Sequence, residues 1–365
     1  MTAQEPLTVG VVGASLGKSW GAGTHLPALR RLPAYRILAV GSSRKESAQA
    51  TAEAFDAPLA FSDAEELIAH PDIQVVSICV RVAHHEELVR AAVARGKHVY
   101  CEWPLATDLL QAEALAALSA RAPEQHMVGL QGVRSRGALQ AKELIAQGRI
   151  GRVLSASLSV RLSGFGNATL PRTRLHTLAP EGGTNLLTVG AGHALATLTT
   201  VLGPLRSLSA ATGTRTPTVT VAETGEQVAA EVPDQLTLAG ELADGAVVSA
   251  AVLGGAQPGA AHFSLHIVGS EATLDIQPVT PALPVQIAGW EIRLTDHNGS
   301  RNLSPDGAEG AVENVAAMYD ALATAITTGD RVSPGFDEGL ATHRLLAGIE
   351  RSAQTGSRVE FTDPS

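Results

Sequence analysis

Over its first 130 residues the chain alternates short β-branched runs with amphipathic helical stretches, and this alternation restricts the fold more than any other feature. LTVGVVG is followed by THLPALRRL, RILAVGS by ESAQATAEAF, VVSICV by HEELVRAAVARG, and HVYCEW by LLQAEALAALSAR, before a last run MVGLQG. A helix after every strand forces crossover connections, so neighbouring strands run parallel in a doubly wound sheet. The grammar is Rossmann-like and ends near residue 132.

Beyond that point the pattern changes. Residues 135–150, SRGALQAKELIAQGRI, read as a helix with Gly148 near its end. Longer alternating segments follow: VLSASLSVRL, LTLAGELADGAVVSAAVL with a turn at Asp244-Gly245, and HFSLHIVGSEATLDI. Such segments pair antiparallel and can leave one sheet face open. Helical periodicity returns at about 312–328 and 336–354, whereas 205–232 and 276–311 read as loops, strand edges or insertions. At 365 residues the chain exceeds the usual size of a single core. The expectation is an α/β Rossmann domain over 1–132 and an α+β domain over 133–365 with a large open, mostly antiparallel sheet. The helix 336–354 is expected to pack back near the domain junction.

The net charge of −9, with 27 basic residues dispersed among 36 acidic ones, gives no basic stripe for nucleic acid. MTAQEPLTVG lacks a positive region followed by an apolar run, and no apolar run approaches the length of a membrane span, which predicts a cytoplasmic, non-membrane protein. Cys79 and Cys101 sit in strand-like runs without CxxC or His-rich spacing, so they read as buried apolar residues, and no metal site is expected.

Chemistry is suggested first by the loop after the first strand, GASLGKSWGAGTH (13–25). Gly17-Lys18-Ser19 has the ending of a P-loop, but that motif needs glycine five residues before Gly17, where Val12 stands. A dinucleotide loop, Gly-x-Gly-x-x-Gly from Gly13, would meet Ser15 and Lys18 at its second and third glycine positions. Its context is nevertheless the expected strand, small-residue loop and helix, and backbone N–H groups there hold pyrophosphate without all three glycines. Gly13, Ser15, Gly17, Lys18, Ser19 and Trp20 are therefore candidate cofactor residues, against the alternative of a tight turn with no ligand. The second strand ends in Gly41-Ser42-Ser43-Arg44-Lys45. NAD sites usually place a carboxylate there for the ribose 2′-hydroxyl; Ser43 and Arg44 suit a 2′-phosphate, so NADP is favoured over NAD.

KHVYCEWPLA (97–106) resembles the KHVxCEKPLA signature of the Gfo/Idh/MocA oxidoreductase family. THLPAL (24–29), His85-Glu86, AKELIAQGRIG (141–151), GSEATL (269–274) and HRLLAGIERSAQTGSRV (343–359) resemble that family in the same order. The resemblance implies a dinucleotide domain, an open-faced sheet domain, and redox chemistry at a hydroxyl or ketone of a sugar-like or cyclic small molecule. It places Glu102 near the nicotinamide ribose, and Arg81 and His85 beside the cofactor. It also exposes two departures: Trp103 stands at the family's lysine, and Val189 at the aspartate of its Asp-x-x-x-His element, whose histidine is His193. A lysine near the reacting oxygen stabilises charge and an aspartate polarises the histidine, and an indole replaces neither.

GKSW with TH, ICVRVAHHEE (78–87), Glu102-Trp103, LQG (130–132) and NLLTVGAGH (185–193) are similar to the galactose-repressor branch of the same family, which binds dinucleotide and acts through a protein partner. Three functions follow from the resemblance. The first is an NADP-preferring oxidoreductase with His193 as acid/base and Trp103, Arg134 and Arg172 toward substrate, Arg136 and Arg174 being neighbours of the same kind. The second is a catalytically silent, NAD(P)-binding regulatory module. The third is transient oxidation by tightly held NAD within a non-redox reaction. His193 as a structural histidine and the arginines as surface charges stand as alternatives. A homo-oligomer, dimer or tetramer, through the second domain's sheet completes the expectation.

Overall fold

Strands Leu7–Val12 (β1), Tyr35–Gly41 (β2), Leu59–Phe61 (β3), Val75–Ile78 (β4), His98–Glu102 (β5) and His126–Gly129 (β6) form a six-stranded sheet ordered β3-β2-β1-β4-β5-β6. Every pair in it is parallel. The computed structural model describes residues 5–17, 19–257 and 259–361; Lys18 lies outside the described residues. Helices Leu26–Arg30 (α1), Lys45–Ala54 (α2), Ala64–Ala69 (α3), His85–Val93 (α4) and Leu109–Ser119 (α5) connect the strands. All six residues of β1 are buried, as a strand covered on both faces requires. Side chains fix the starts of two helices: Asp63 accepts from Glu65 N and Glu66 N, and Asp108 from Gln111 N. The order is that of a doubly wound Rossmann sheet, with its switch point between β1 and β4.

The chain clusters into two compact units, residues 1–131 with 311–340, and 132–310 with 341–365. The late helix Ala311–Thr328 contributes Val315, Met318, Tyr319 and Leu322 to the first unit's core, together with Val9, Val11, Leu26, Leu29, Tyr100 and Met127. Sequence periodicity finds this helix to within a residue or two but carries no information about which sheet buries its apolar stripe.

In the second unit helix Arg136–Ala146 (α6) precedes Val153–Arg161 (β7), Thr169–Leu170 (β8), Gly192–Leu202 (α7), Leu205–Gly213 (β9), Thr218–Val221 (β10), Gln227–Ala229 (β11), Gln235–Leu242 (β12) and Val247–Leu253 (β13). His262–Gly269 (β14), Thr273–Pro278 (β15), Trp290–Asp296 (β16), Gly299–Asn302 (β17) and Val359–Glu360 (β18) complete it. Nine strands pair in the order β17-β16-β15-β14-β7-β13-β12-β9-β18, and β8, β10 and β11 form a small separate sheet. In the large sheet β7 and β13 run parallel and the other ladders antiparallel. The turn at Asp244-Gly245 joins β12 to β13, with Gly245 at φ +93°. The stretches 205–232 and 276–311 contain β9, β10, β11, β16 and β17; Ser, Ala, Thr and Gly dilute the alternation there, although Trp290, Ile292 and Leu294 bury one face of β16.

Helix α6 approaches this sheet through Gly137, where a Cβ would lie 2.4 Å from the Trp290 side chain. Trp290 is fully buried against Phe263, with ring centroids 5.4 Å apart. The Glu309 carboxylate ties the same place together, accepting from Gly137 N at 3.0 Å and Trp290 N at 2.8 Å. Gly137→Ala should therefore lower stability by about 1–2 kcal/mol in chemical denaturation, overpacking outweighing the ~1 kcal/mol that alanine gains from helix propensity. An unchanged or higher stability would contradict this packing.

Candidate functional site

At the exit of β1 the backbone is constrained on both sides. Gly13 has φ +90°, and a Cβ there would stand 2.5 Å from the Cys79 carbonyl oxygen. Gly13 N and Ala14 N donate to Gly41 O at 2.9 and 3.0 Å, and Cys79 N donates to Val12 O at 2.9 Å. The loop thus leaves the sheet where β2 and β4 flank β1, the place at which open α/β sheets receive ligands. Gly17, at φ +71°, has open space around it. The Ser19 hydroxyl accepts from Ser15 N at 2.7 Å and Ala22 N at 3.2 Å, so it is spent within the loop. Ser15 Oγ lies 2.7 Å from Ser47 Oγ, and Leu16 N donates to Thr51 Oγ1, stitching the loop to α2.

The close-packing glycine of this loop is Gly21, which the sequence reading did not single out. A Cβ there would lie 3.2 Å from Gly13 O and 3.3 Å from the Ala14 Cα. Gly21 stands eight residues after Gly13 instead of the five of Gly-x-Gly-x-x-Gly, so the loop is longer and the helix begins later. The signal was present in WGAG (20–23) but displaced from the expected register. A π-helical turn, Gly21–His25, leads into α1. The Trp20 indole N–H is buried without an acceptor among the described residues.

Past β2, Ser42 N donates to Phe61 O, and Ser43 and Arg44 are exposed. Arg44 is the N-cap residue of α2 and makes no side-chain capping bond. Past β4, Arg81 is exposed at the start of a single 3₁₀ turn, Val82–His84. His85 is buried between two carbonyls, Nδ1 at 2.9 Å from Pro104 O and Nε2 at 3.1 Å from Val80 O. Burial pushes its pKa down, and the Val80 and Pro104 carbonyls partly oppose this. The neutral ring donates to one of these carbonyls and packs against the other, and so braces the turn after β4 against the turn after β5.

At the end of β5, Glu102 Oε1 lies 3.0 Å from His25 Nε2, and 13% of the Glu102 side chain is exposed. Gly129 makes room for it: a Cβ there would be 2.6 Å from Oε1. Trp103 follows, 6% exposed, with a cis peptide bond to Pro104. The orphaned Trp20 N–H and the side-chain-free approach at Gly13 fit a dinucleotide with its pyrophosphate over the loop. Ser43 and Arg44 remain open at the β2 end and Glu102 at the β5 end. Among the described residues no cluster of three or more His, Cys, Asp and Glu side chains has metal-binding geometry.

In the second unit His193 occupies the first turn of α7, directly after a π-helical turn, Leu186–Ala191. Asn185 begins that turn with a capping box, accepting from Leu187 N and Thr188 N while Asn185 N donates to Thr188 Oγ1. π-Helical insertions concentrate at functional sites. His193 is 5% exposed, its Nδ1 has no partner among the described residues, and burial pulls its pKa down to about 3. Arg134 ends the 3₁₀ turn Gln131–Arg134, with its Nε buried and unpartnered among the described residues. Arg172 is exposed and pairs with Glu226 at 3.4 Å. Arg174 donates to Gly164 O and lies over the Phe165 ring, 5.1 Å from its centroid, and Arg136 donates to Asp306 O.

Residues 7–130 match the family described as "Oxidoreductase family, NAD-binding Rossmann fold", and residues 137–278 match "Gal80p, C-terminal domain". The dehydrogenase aclE of Aspergillus oryzae is 28% identical over 341 residues, covering 90% of this chain and 89% of that protein. The galactose/lactose metabolism regulatory protein GAL80 of Kluyveromyces lactis is 31% identical over 267 residues, covering 68% of this chain and 58% of the regulator's length. Among solved structures, a super-repressor mutant of Gal80p from Saccharomyces cerevisiae superposes with a TM-score of 0.86 at 23% identity, covering 98% of this chain and 99% of that one. A levoglucosan dehydrogenase in complex with NADH gives 0.85 at 22% identity, covering 98% of this chain and all of that one (100%). At these identities the superpositions establish the shared fold.

The state of His193 has a consequence for stability. Its pKa is about 3 folded and about 6.5 unfolded, so below pH 6.5 the unfolded chain binds a proton that the folded chain does not. Stability is full above that value and falls until pH approaches 3. Between pH 7 and pH 5 the wild-type chain should lose about 2 kcal/mol relative to His193→Gln, measured by urea denaturation at each pH. Parallel profiles would show that the imidazole is not buried in its neutral form.

Proposed function

Because its amino-terminal domain belongs to the Gfo/Idh/MocA oxidoreductase family and its carboxy-terminal domain to the Gal80p type, we propose that this chain is a nicotinamide-dinucleotide oxidoreductase with a preference for NADP. Its substrate in this reading is a sugar-like or cyclic alcohol or ketone, the class suggested by the names of the levoglucosan and inositol dehydrogenases it resembles. The observation that carries the enzymatic reading is His193, a buried imidazole with an unshared nitrogen beside a π-helical turn. Buried polar atoms are almost always paired, and one left open takes its partner from an ordered water, a ligand or a reacting group.

The bound dinucleotide supplies the hydride acceptor or donor. Gly13 lets the backbone approach the pyrophosphate, the Trp20 N–H donates into the site, and Glu102 accepts from a ribose hydroxyl. Ser43 and Arg44 take the 2′-phosphate, which a carboxylate at this position would repel. His193, neutral through burial, takes the proton from the substrate hydroxyl at Nδ1 during oxidation and returns it during reduction. Trp103 offers an indole face to a sugar ring, and Arg134 a hydrogen-bond donor.

A second reading, a dinucleotide-binding regulator without turnover, is favoured by a specific pair of replacements: Trp103 at the family's lysine and Val189 at its aspartate. The first replaces an ammonium that would stabilise a developing alkoxide, and the second a carboxylate that would polarise the histidine. The relatives that carry the name of a galactose-metabolism regulator favour it as well.

Titration of nicotinamide fluorescence with NADPH and NADH separates these readings from any cofactor-free function; both predict saturable binding, and silence to both coenzymes would remove both. Arg44→Asp should weaken NADPH binding about tenfold or more and leave NADH within a few-fold. Turnover across a panel of sugars, polyols and cyclic ketones should appear and fall at least 100-fold in His193→Ala. Binding without turnover on any of them would favour the regulator. The exposed face of the large sheet, with Ser157, Val247 and His266, is proposed to join two copies of the chain. Light scattering should return a dimer or tetramer mass, and a monomer at working concentration would refute this.

A further inference from the structure

Four side chains of the first unit form a line that ends on Glu102. Ser77 Oγ lies 2.6 Å from Tyr319 Oη, Tyr319 Oη 2.8 Å from His25 Nδ1, and His25 Nε2 3.0 Å from Glu102 Oε1. Ser77, His25 and Tyr319 are fully buried. Valence fixes the hydrogens once the carboxylate is ionised and the imidazole neutral. Glu102 then only accepts, so His25 donates from Nε2; its Nδ1 carries a lone pair, which the Tyr319 hydroxyl fills; and the tyrosine oxygen accepts from Ser77. Each polar atom in the line is paired, and all the dipoles point toward Glu102. Hydrogen bonds in such chains polarise one another.

The rings are held independently of these bonds. His25 stands edge-on to Tyr100 at 4.9 Å and to Tyr319 at 5.7 Å between centroids, and the two tyrosines lie 4.9 Å apart. The Tyr35 hydroxyl donates to the Tyr319 carbonyl oxygen at 2.7 Å. Gly129 leaves the space that the Glu102 carboxylate fills. A segment more than 200 residues downstream in the sequence thus sets the orientation of an acid at the carboxyl edge of β5.

We propose that His25 and Tyr319 are positioning residues, which hold Glu102 in one rotamer and one hydrogen-bonding polarity for the ribose hydroxyls of the dinucleotide. The proposal rests on the reading above that Glu102 accepts from that ribose. Tyr319 acts on cofactor affinity through His25 and Glu102 without touching the cofactor.

Two measurements test this separately. In the free protein, nitrogen-15 spectra of the histidine rings should show His25 neutral and protonated at Nε2; protonation at Nδ1, or at both nitrogens, would overturn the relay whether or not any dinucleotide binds. In fluorescence titrations with NADPH, Tyr319→Phe, which keeps the ring and deletes one hydroxyl, should weaken binding about three- to tenfold. Glu102→Gln should weaken it further, and the double variant should be no weaker than Glu102→Gln alone, whereas a purely structural tyrosine would add its loss in both backgrounds. Additive losses would overturn the positioning role and leave the proposed function standing. Full affinity in Glu102→Gln would overturn the ribose reading, and this proposal with it. Should Tyr319→Phe fold poorly, His25→Gln provides the same test: its amide still donates toward Glu102, so it should bind within about threefold of wild type, and His25→Leu should not. Equal losses in these two would overturn the relay.

Discussion

The structure depends on one close approach, the backbone of Gly13 against the carbonyl of Cys79. It brings the exits of β1 and β4 together at the switch point of the sheet, and no side chain fits between them. Gly41 then takes both N–H groups of the turn, so the loop starts from a fixed place and in a fixed direction. From there Ser15 and Leu16 fasten it to α2, and Gly21 lets the following helix settle on the turn. Most polar groups of the loop are paired within the protein. What its described residues present outward is backbone and the Leu16 side chain, with the Trp20 N–H buried beneath.

Chemical capacity is unevenly distributed between the units. The first holds the parts proposed to take a dinucleotide: the glycine approach, the open β2 end with Ser43 and Arg44, and a carboxylate seated by Gly129 and His25. In the second the proposed acid/base group is His193, which stands without the aspartate of the family's Asp-x-x-x-His element and which burial holds neutral. Trp103 carries the same change into the first unit, replacing a cation by a buried aromatic ring. In the proposed function such a chain holds its cofactor through these parts and works with a reduced set of catalytic groups.

Much of this was legible in the sequence because the relevant signals are local. Strand–helix alternation gives a parallel sheet, the alternating segments after residue 150 give antiparallel strands, and Gly13 and Glu102 stand within motifs that encode their place. The parts that were not legible depend on distance along the chain. Nothing near Tyr319 indicates that its hydroxyl meets His25, and nothing near Gly129 indicates that a carboxylate from the neighbouring strand occupies the space of its missing Cβ. Gly21 was obscured for a different reason: its loop is longer than the fingerprint, so the glycine falls outside the expected spacing. His85 is similar, since its residue type suggests a ligand contact while its two carbonyl neighbours make it a brace. Burial of this kind becomes visible only when the turns after β4 and β5 are seen together.

In the proposed function the first unit is a dinucleotide site read by Arg44 at one end and Glu102 at the other. A crystal structure grown with NADPH tests it most directly. The 2′-phosphate is expected within hydrogen-bond distance of Ser43 and Arg44, the pyrophosphate over the backbone from Gly13 to Trp20, and a ribose hydroxyl on Glu102. A dinucleotide bound elsewhere, or bound here with its 2′-phosphate turned away from Arg44 and its ribose away from Glu102, would contradict it.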